Sequence, residues 1–372
     1  MSSRVVLLTT NLAVGGAERQ VAGLARALLQ RGWQAQVISL VEPSAFREEI
    51  EAAGAPVFSL GMRPGRPDPR GYLRLLNLLR RFRPQILHCH MFHANLLGRL
   101  SRLLCPVPVL ISTLHSMAET RQASRSMVWR DKFYRWTDSL SDVTVAVAQA
   151  VADRHAGAGA VRCSKLRVIP NGVDTTLFRP DAERRRCVRR ALGFEEEFLW
   201  LAAGRLMWKK GHGTLLEAFA SVSQGVLLIA GSGPLEERLR QQAEELRVNV
   251  RFLGHRRDMV DLMRACDAFV QASVVEGLPM SLLEASASAL PCVATSAGGA
   301  GEVVINGRTG FLAAPGDPAS LAAAMKKLAA MPAEERRRMG EAARGHVVAR
   351  FEMESVVSQW EGLYRELVSR WM

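Results

Sequence analysis

The chain has 372 residues, enough for two domains that each bury a core, and its 48% apolar and 23% charged residues fit a globular protein. Its six cysteines (Cys89, Cys105, Cys163, Cys187, Cys266 and Cys292) form no CxxC pair, which argues against a zinc knuckle or disulfide framework and for a reducing, cytoplasmic compartment. The net charge of +13 is uneven, with 23 Lys+Arg against 11 Asp+Glu through residue 172 and 26 against 25 beyond it. A basic first half suits nucleic acid, an anionic membrane surface or a phosphorylated acceptor. With no zinc finger, RNA-recognition signature or KH loop and a high density of Val/Ile/Leu strands, nucleic acid is set aside.

Arg4 followed by Val-Val-Leu-Leu has the outline of a secretory leader, but Thr9, Thr10 and Asn11 break the apolar run, which therefore reads as a first strand. Further strands are predicted at 35–40, 57–60, 85–89, 109–112 and 143–147, with amphipathic helices between them. The segment Val168-Ile-Pro-Asn-Gly-Val-Asp174 interrupts this rhythm and places a domain boundary at residue 172, before polar, Arg-rich sequence through Arg190. A second series is predicted at 198–203, 225–230, 249–253, 267–271 and 292–295. Alternating strands and helices of this kind make parallel sheets covered on both faces, here two in tandem, 1–172 and 173–351. Two such sheets would bind ligand at their strand carboxyl ends, in a cleft between them. A final helical segment, 352–372, has an apolar face suited to pack back on the first domain. No stretch reaches the roughly 18 apolar residues that span a bilayer.

Several turns carry chemistry. Gly15-Gly16-Ala17-Glu18 opens the first helix and lets backbone approach a ligand, although it is not the GxGxxG of a nicotinamide site. Gly204-Arg205 and Lys210-Gly211 follow the first strand of the second series, where a guanidinium fork and an ammonium could hold a diphosphate; a solvated loop is the plain alternative. Gly231-Ser-Gly-Pro234 and Gly298-Gly299 with Glu302 repeat the theme. The junction Ser273-Val-Val-Glu276-Gly277-Leu278-Pro279-Met-Ser-Leu-Leu-Glu284 combines a helix start, with Pro279 as first helical residue, and two acids eight residues apart. Phosphate at the helix start and hydroxyls on the acids suggest a nucleotide sugar. Otherwise Glu276 is a cap and Glu284 a solvated surface residue.

Taken together, Gly15 to Glu18, Asn171-Gly172-Val173-Asp174, Gly204-Arg205, Lys210-Gly211, Gly231 to Pro234, Phe252-Leu253-Gly254 and Glu276-x7-Glu284 cover nearly the whole chain. They resemble the retaining glycosyltransferase family 4, with the GT-B fold of two doubly wound, Rossmann-like domains facing across a cleft. The resemblance implies that Arg205 and Lys210 neutralise the donor diphosphate, that Glu284 binds the ribose, and that Glu276 faces the transferred sugar. It also implies a first-domain histidine near that sugar, for which His115, just after a strand, is the candidate. His88, Cys89, His90 and His93 look like metal ligands, but they lack an acidic partner and the family needs no metal, so cleft-lining or packing roles are expected.

The expected activity is transfer of a hexosyl or N-acetylhexosaminyl group from a nucleotide-diphosphate sugar, read as a UDP-sugar, to an acceptor hydroxyl with retention. No metal or cofactor is expected. Catalytic roles fall to His115 and Glu276, and donor binding to Gly15, Gly16, Gly204, Arg205, Lys210, Gly277, Leu278, Pro279 and Glu284. The basic first half suggests a lipid-linked glycan acceptor in surface polysaccharide synthesis and peripheral attachment to the inner membrane face. The stretch Arg121–Trp136 and the leucine-rich helix Arg70–Arg83 are its candidate contacts, unless both pack on their own sheet. Two other readings remain, a UDP-sugar epimerase of the same fold and a nucleotide-sugar-binding protein without turnover.

Overall fold

A computed structural model describes residues 3–64, 66, 68–117, 125–222 and 224–371. The chain forms two compact units, residues 1–172 with 353–372, and residues 173–352.

The first unit holds strands β1 (Arg4–Thr9), β2 (Gln34–Ser39), β3 (Val57–Ser59), β4 (Ile86–His90), β5 (Val109–Leu114), β6 (Val143–Ala146) and β7 (Leu166–Val168). They pair in parallel in the order β3-β2-β1-β4-β5-β6-β7. Strand residues alternate between two apolar layers, as the period of two demands. Val5 and Leu7 enter one layer with the helix Gly16–Gln30, and Val6 and Leu8 enter the other with the helix Pro69–Phe82. The C-terminal helix Met353–Ser369 completes the first layer through Met353, Val356, Val357, Trp360, Leu363, Tyr364 and Leu367. Polar contacts fix its seat: Trp33 Nε1 donates to Glu361 Oε1 at 2.7 Å, and Arg31 reaches Glu361 Oε2 at 2.7 Å.

The second unit holds β8 (Leu199–Ala203), β9 (Val226–Ala230), β10 (Val250–Gly254), β11 (Ala268–Gln271), β12 (Cys292–Thr295) and β13 (Gly310–Ala313), again parallel, in the order β10-β9-β8-β11-β12-β13. Two of these thirteen strands, β7 and β13, are absent from the sequence-based series. Each is an edge strand of three or four residues. The strand order reverses between β1 and β4 in one unit and between β8 and β11 in the other. Chain leaving those carboxyl ends diverges to opposite sides and leaves a crevice open to ligand.

Candidate functional site

In the second unit the crevice is framed by the loops after β8 and β11. The first carries Gly204, Arg205 and, in a single 3-10 turn at Trp208–Lys210, the ammonium of Lys210. Glycine makes the loops fit. Gly211 sits at φ +64, and a Cβ there would lie 2.0 Å from the carbonyl oxygen of Ala272, so only glycine lets the Lys210 turn rest on the end of β11. Val274 N–H donates to Lys209 O at 2.8 Å across the same seam. Gly204, at φ +148, gives its N–H to Ala230 O at 3.0 Å, and Gly231 packs against its carbonyl; the Gly231–Pro234 turn thus braces the cationic loop.

The two loops bring Lys210 and Glu276 together, with Lys210 Nζ donating to Glu276 Oε1 at 2.6 Å. The same carboxylate oxygen accepts from Ser273 Oγ at 2.7 Å and Gln271 Nε2 at 3.3 Å. Thr295 Oγ1 in turn donates to Ser273 O at 2.5 Å, tying the β11 loop to β12. Arg205 is exposed, five residues before Lys210 in the same loop.

Gly277, Leu278 and Pro279 are buried and lead into the helix Met280–Ala287. The expectation for Pro279 is off by one place: it is the N-cap, with φ −74 and ψ 113, and Met280 is the first helical residue. No side chain caps this helix, so Glu276 is not its cap, and Glu284 is 6% exposed rather than solvated. Both plain alternatives for the two acids therefore fail. Gly277 O accepts from Gly299 N–H at 2.7 Å, and Gly298, at φ +56, lies against Glu276 O, so the Gly-Gly turn after β12 supports the junction from behind.

In the first unit, Gly15 is the N-cap of the helix Gly16–Gln30. Its φ of −173 is ordinary extended backbone, and the Glu18 carboxylate lies over its bare Cα, 2.3 Å from where a Cβ would stand. His115 directly follows β5, where burial lowers its pKa to about 4 and keeps it neutral. Its Nε2 lies 3.0 Å from Nδ1 of buried His90, the last residue of β4. His88, two residues earlier, is clamped at both nitrogens, Nδ1 to Tyr364 Oη and Nε2 to Thr113 Oγ1, each at 2.7 Å. The histidines of β4 are thus packed and hydrogen-bonded. The sequence shows that His88 and His90 share a face, but the link to His115 depends on β4–β5 register and has no sequence signal. Among the described residues no group of three or more His, Cys, Asp or Glu is placed to hold a metal ion.

The two basic helices differ. In Pro69–Phe82, Leu75, Leu76 and Leu79 are buried in the sheet layer, so its leucine face is already covered. In Arg125–Thr137 Tyr134 is buried but three other aromatics face outward, with Trp129 53% and Trp136 62% exposed and Phe133 between them at ring distances of 6.4 and 5.8 Å. Lys132 Nζ stands 4.8 Å from the Trp129 ring. Arg121 lies outside the described residues. No described helix is long and apolar enough to cross a membrane.

Two family models match the chain, Glycosyltransferase Family 4 over residues 14–177 and Glycosyl transferases group 1 over residues 185–346. Over 270 residues the chain is 27% identical to the UDP-Gal:alpha-D-GlcNAc-diphosphoundecaprenol alpha-1,3-galactosyltransferase of Escherichia coli, spanning 66% of each protein. It is 30% identical to the glycogen synthase of Mycobacterium tuberculosis, over 78% of this chain and 71% of the relative. The crystal structure of Anabaena HepE in complex with UDP and glucose matches 98% of this chain and 100% of its own, with a TM-score of 0.86 at 24% identity.

Proposed function

Because this chain belongs to the GT-B glycosyltransferases of family 4, we propose that it transfers a sugar from a UDP-sugar to a hydroxyl of a lipid-linked glycan, with retained anomeric configuration. The observation that carries this reading is the Lys210–Glu276 contact at the reversal point of the second sheet, beside Arg205 and an uncapped helix start. A diphosphate leaving group gathers negative charge as the glycosidic bond breaks. Two cations and a helix N-terminus at one strand edge are placed to stabilise it, and each charge-assisted contact contributes about 1.5–3 kcal/mol. In this reading that charge is met by Arg205 and Lys210 rather than by a metal ion.

Glu276 and His115 orient the donor sugar through its hydroxyls, Glu284 takes the nucleotide ribose, and Gly15 and Gly16 allow backbone to approach the donor. Gly204 brings the Arg205 loop to the strand end, and Gly277, Leu278 and Pro279 deliver the helix start. No side chain is assigned as a covalent nucleophile. Uracil as the base is supported by HepE, whose structure holds UDP, and by the E. coli relative, which is named for UDP-Gal.

The acceptor side rests on the exposed Trp129–Phe133–Trp136 ladder with its flanking Lys132 and Arg135, an arrangement suited to a headgroup interface. The E. coli relative, named for a diphosphoundecaprenol-linked acceptor, points the same way. The test is a thermal-shift screen of UDP-, GDP- and ADP-sugars, then transfer from the stabilising donor to a polyprenyl-diphosphate-linked sugar. Stabilisation by UDP-sugars and acceptor-dependent UDP release are expected. A new sugar nucleotide formed without acceptor would instead identify an epimerase.

A further inference from the structure

The role of Glu276 rests on the reading above; how its carboxylate is held is visible in the loop after β11. Three groups crowd one of its oxygens, with Lys210 Nζ at 2.6 Å, Ser273 Oγ at 2.7 Å and Gln271 Nε2 at 3.3 Å from Oε1. The Lys210 ammonium can only donate, which makes Oε1 an acceptor, and Ser273 then donates to it as well. The Gln271 amide turns its nitrogen the same way, because its oxygen would meet Oε1 lone pair to lone pair. That amide oxygen lies 3.5 Å from Ser281 Oγ instead, at the start of the helix Met280–Ala287. A carboxylate oxygen offers about two lone-pair positions, so Oε1 is full. Oε2 takes no hydrogen bond from a described residue and is not sealed from solvent.

We infer that Ser273 and Gln271 are positioning residues for Glu276: they fill Oε1, keep it filled when Lys210 turns to the donor diphosphate, and so present Oε2 to a hydroxyl of the donor sugar. The two are built into the sheet. Gln271 is the last residue of β11 and is 5% exposed, while Ser273 is fully buried and its carbonyl is tied to Thr295 Oγ1 at 2.5 Å. They also brace each other, with Gln271 Nε2 donating to Ser273 Oγ at 3.2 Å. The Glu276 backbone is held from behind, since Gly298 lies against Glu276 O and Gly299 N–H donates to Gly277 O at 2.7 Å. Lys210 differs from both. It reaches Oε1 from the 3-10 turn after β8, on a flexible four-carbon stem that can swing its charge to a phosphate. When it does, Ser273 and Gln271 still occupy both positions on Oε1, and Oε2 stays the oxygen on offer.

The test pairs crystal structures of the full chain with UDP bound, for the wild type and for Ser273→Ala/Gln271→Met, with kinetics of UDP release from UDP-galactose and UDP-glucose. In the wild type Lys210 Nζ is expected on a phosphate oxygen, with Glu276 Oε1 still in hydrogen-bond distance of Ser273 Oγ and Gln271 Nε2. In the double variant the Glu276 carboxylate should leave that position. There kcat/KM for UDP release should fall about tenfold or more, the scale of one charge-assisted bond, while UDP affinity changes less than about threefold. Ser273→Ala alone, which removes one buried oxygen, should show a smaller loss of the same kind. In a Glu276→Ala background the two substitutions should cost less than about twofold, because they act only through the carboxylate, whereas a merely structural role would lower both backgrounds alike. A Glu276 that has left Ser273 and Gln271 in the UDP-bound wild type, or that keeps its place in the double variant, overturns the inference, and so does an equal loss in the Glu276→Ala background. UDP release by Glu276→Ala at the wild-type rate, with the structures as expected, would remove Glu276 from the reaction while leaving its positioning by Ser273 and Gln271 intact.

Discussion

Gly211→Ala is a sharp test of how the donor loop is built. An alanine at φ +64 costs about 1–2 kcal/mol in backbone conformation alone. Its Cβ would also lie 2.0 Å from Ala272 O and 2.9 Å from Ala272 C, and because both are backbone atoms the seam must open by roughly 1 Å. Overpacking of this kind adds about 1–3 kcal/mol, for a total near 3 kcal/mol. In a unit of this size that lowers Tm by about 6–12 °C. Gly193 and Gly316 are matched controls in the same unit, at φ +74 and +75 with nothing within reach of a Cβ; their alanine variants should lose only the conformational part. The seam separates Lys210 from the segment leading to Glu276, so Gly211→Ala should also weaken UDP binding at least about tenfold, the cost of one charge-assisted contact, while the controls bind normally. Calorimetry and UDP titration of the three variants decide it. A Gly211→Ala protein that melts and binds like the controls would refute the argument.

Acidification should destabilise the fold through its buried histidines. Burial holds His155 and His212 near pKa 4 against an ordinary 6.5, so the unfolded chain takes up protons first. The stability they contribute is complete above pH 6.5 and is lost as pH falls towards 4, by about 3 kcal/mol each; a Tm that rose between pH 7 and pH 5 would contradict this. Arg99 is fully buried and donates to Ser112 Oγ, Tyr134 O, Thr137 Oγ1 and Thr144 Oγ1. Arg99→Ala strands those acceptors and should cost about 3–5 kcal/mol in urea unfolding, and Arg99→Lys should recover little because an ammonium cannot reproduce the fork. Trp129→Ala/Trp136→Ala should lower sedimentation with phosphatidylglycerol vesicles and leave UDP affinity unchanged; equal sedimentation would remove this helix from the membrane reading.

The sequence reveals what local chemistry dictates. Apolar runs of four to six residues punctuated by glycine and proline locate eleven of the thirteen strands, because a strand buried on both faces needs such a run. Leu166-Arg-Val168 is too short and too exposed to stand out, and Gly310-Phe-Leu-Ala313 merges with the turn before it. Glu276 and Glu284 are conspicuous in the sequence because two acids at a helix start lack a local purpose. The partners of those acids are not conspicuous. Lys210 meets Glu276 at a sequence separation of 66, and His90 meets His115 at a separation of 25, through adjacency of strands that no short window encodes. The basic helices show the same limit: composition marks both alike, and only packing separates a leucine face turned into the sheet from an aromatic face turned to solvent.

The central claim is that Arg205 and Lys210 hold the diphosphate of the donor, and calorimetric titration with UDP and with uridine tests it most directly. Without Lys210 the Glu276 carboxylate would repel the phosphates, so Lys210→Ala should weaken UDP binding about tenfold or more, Arg205→Ala should do likewise, and both should leave uridine binding unchanged. UDP binding of wild-type strength in both variants, or an equal loss of uridine, would contradict the account.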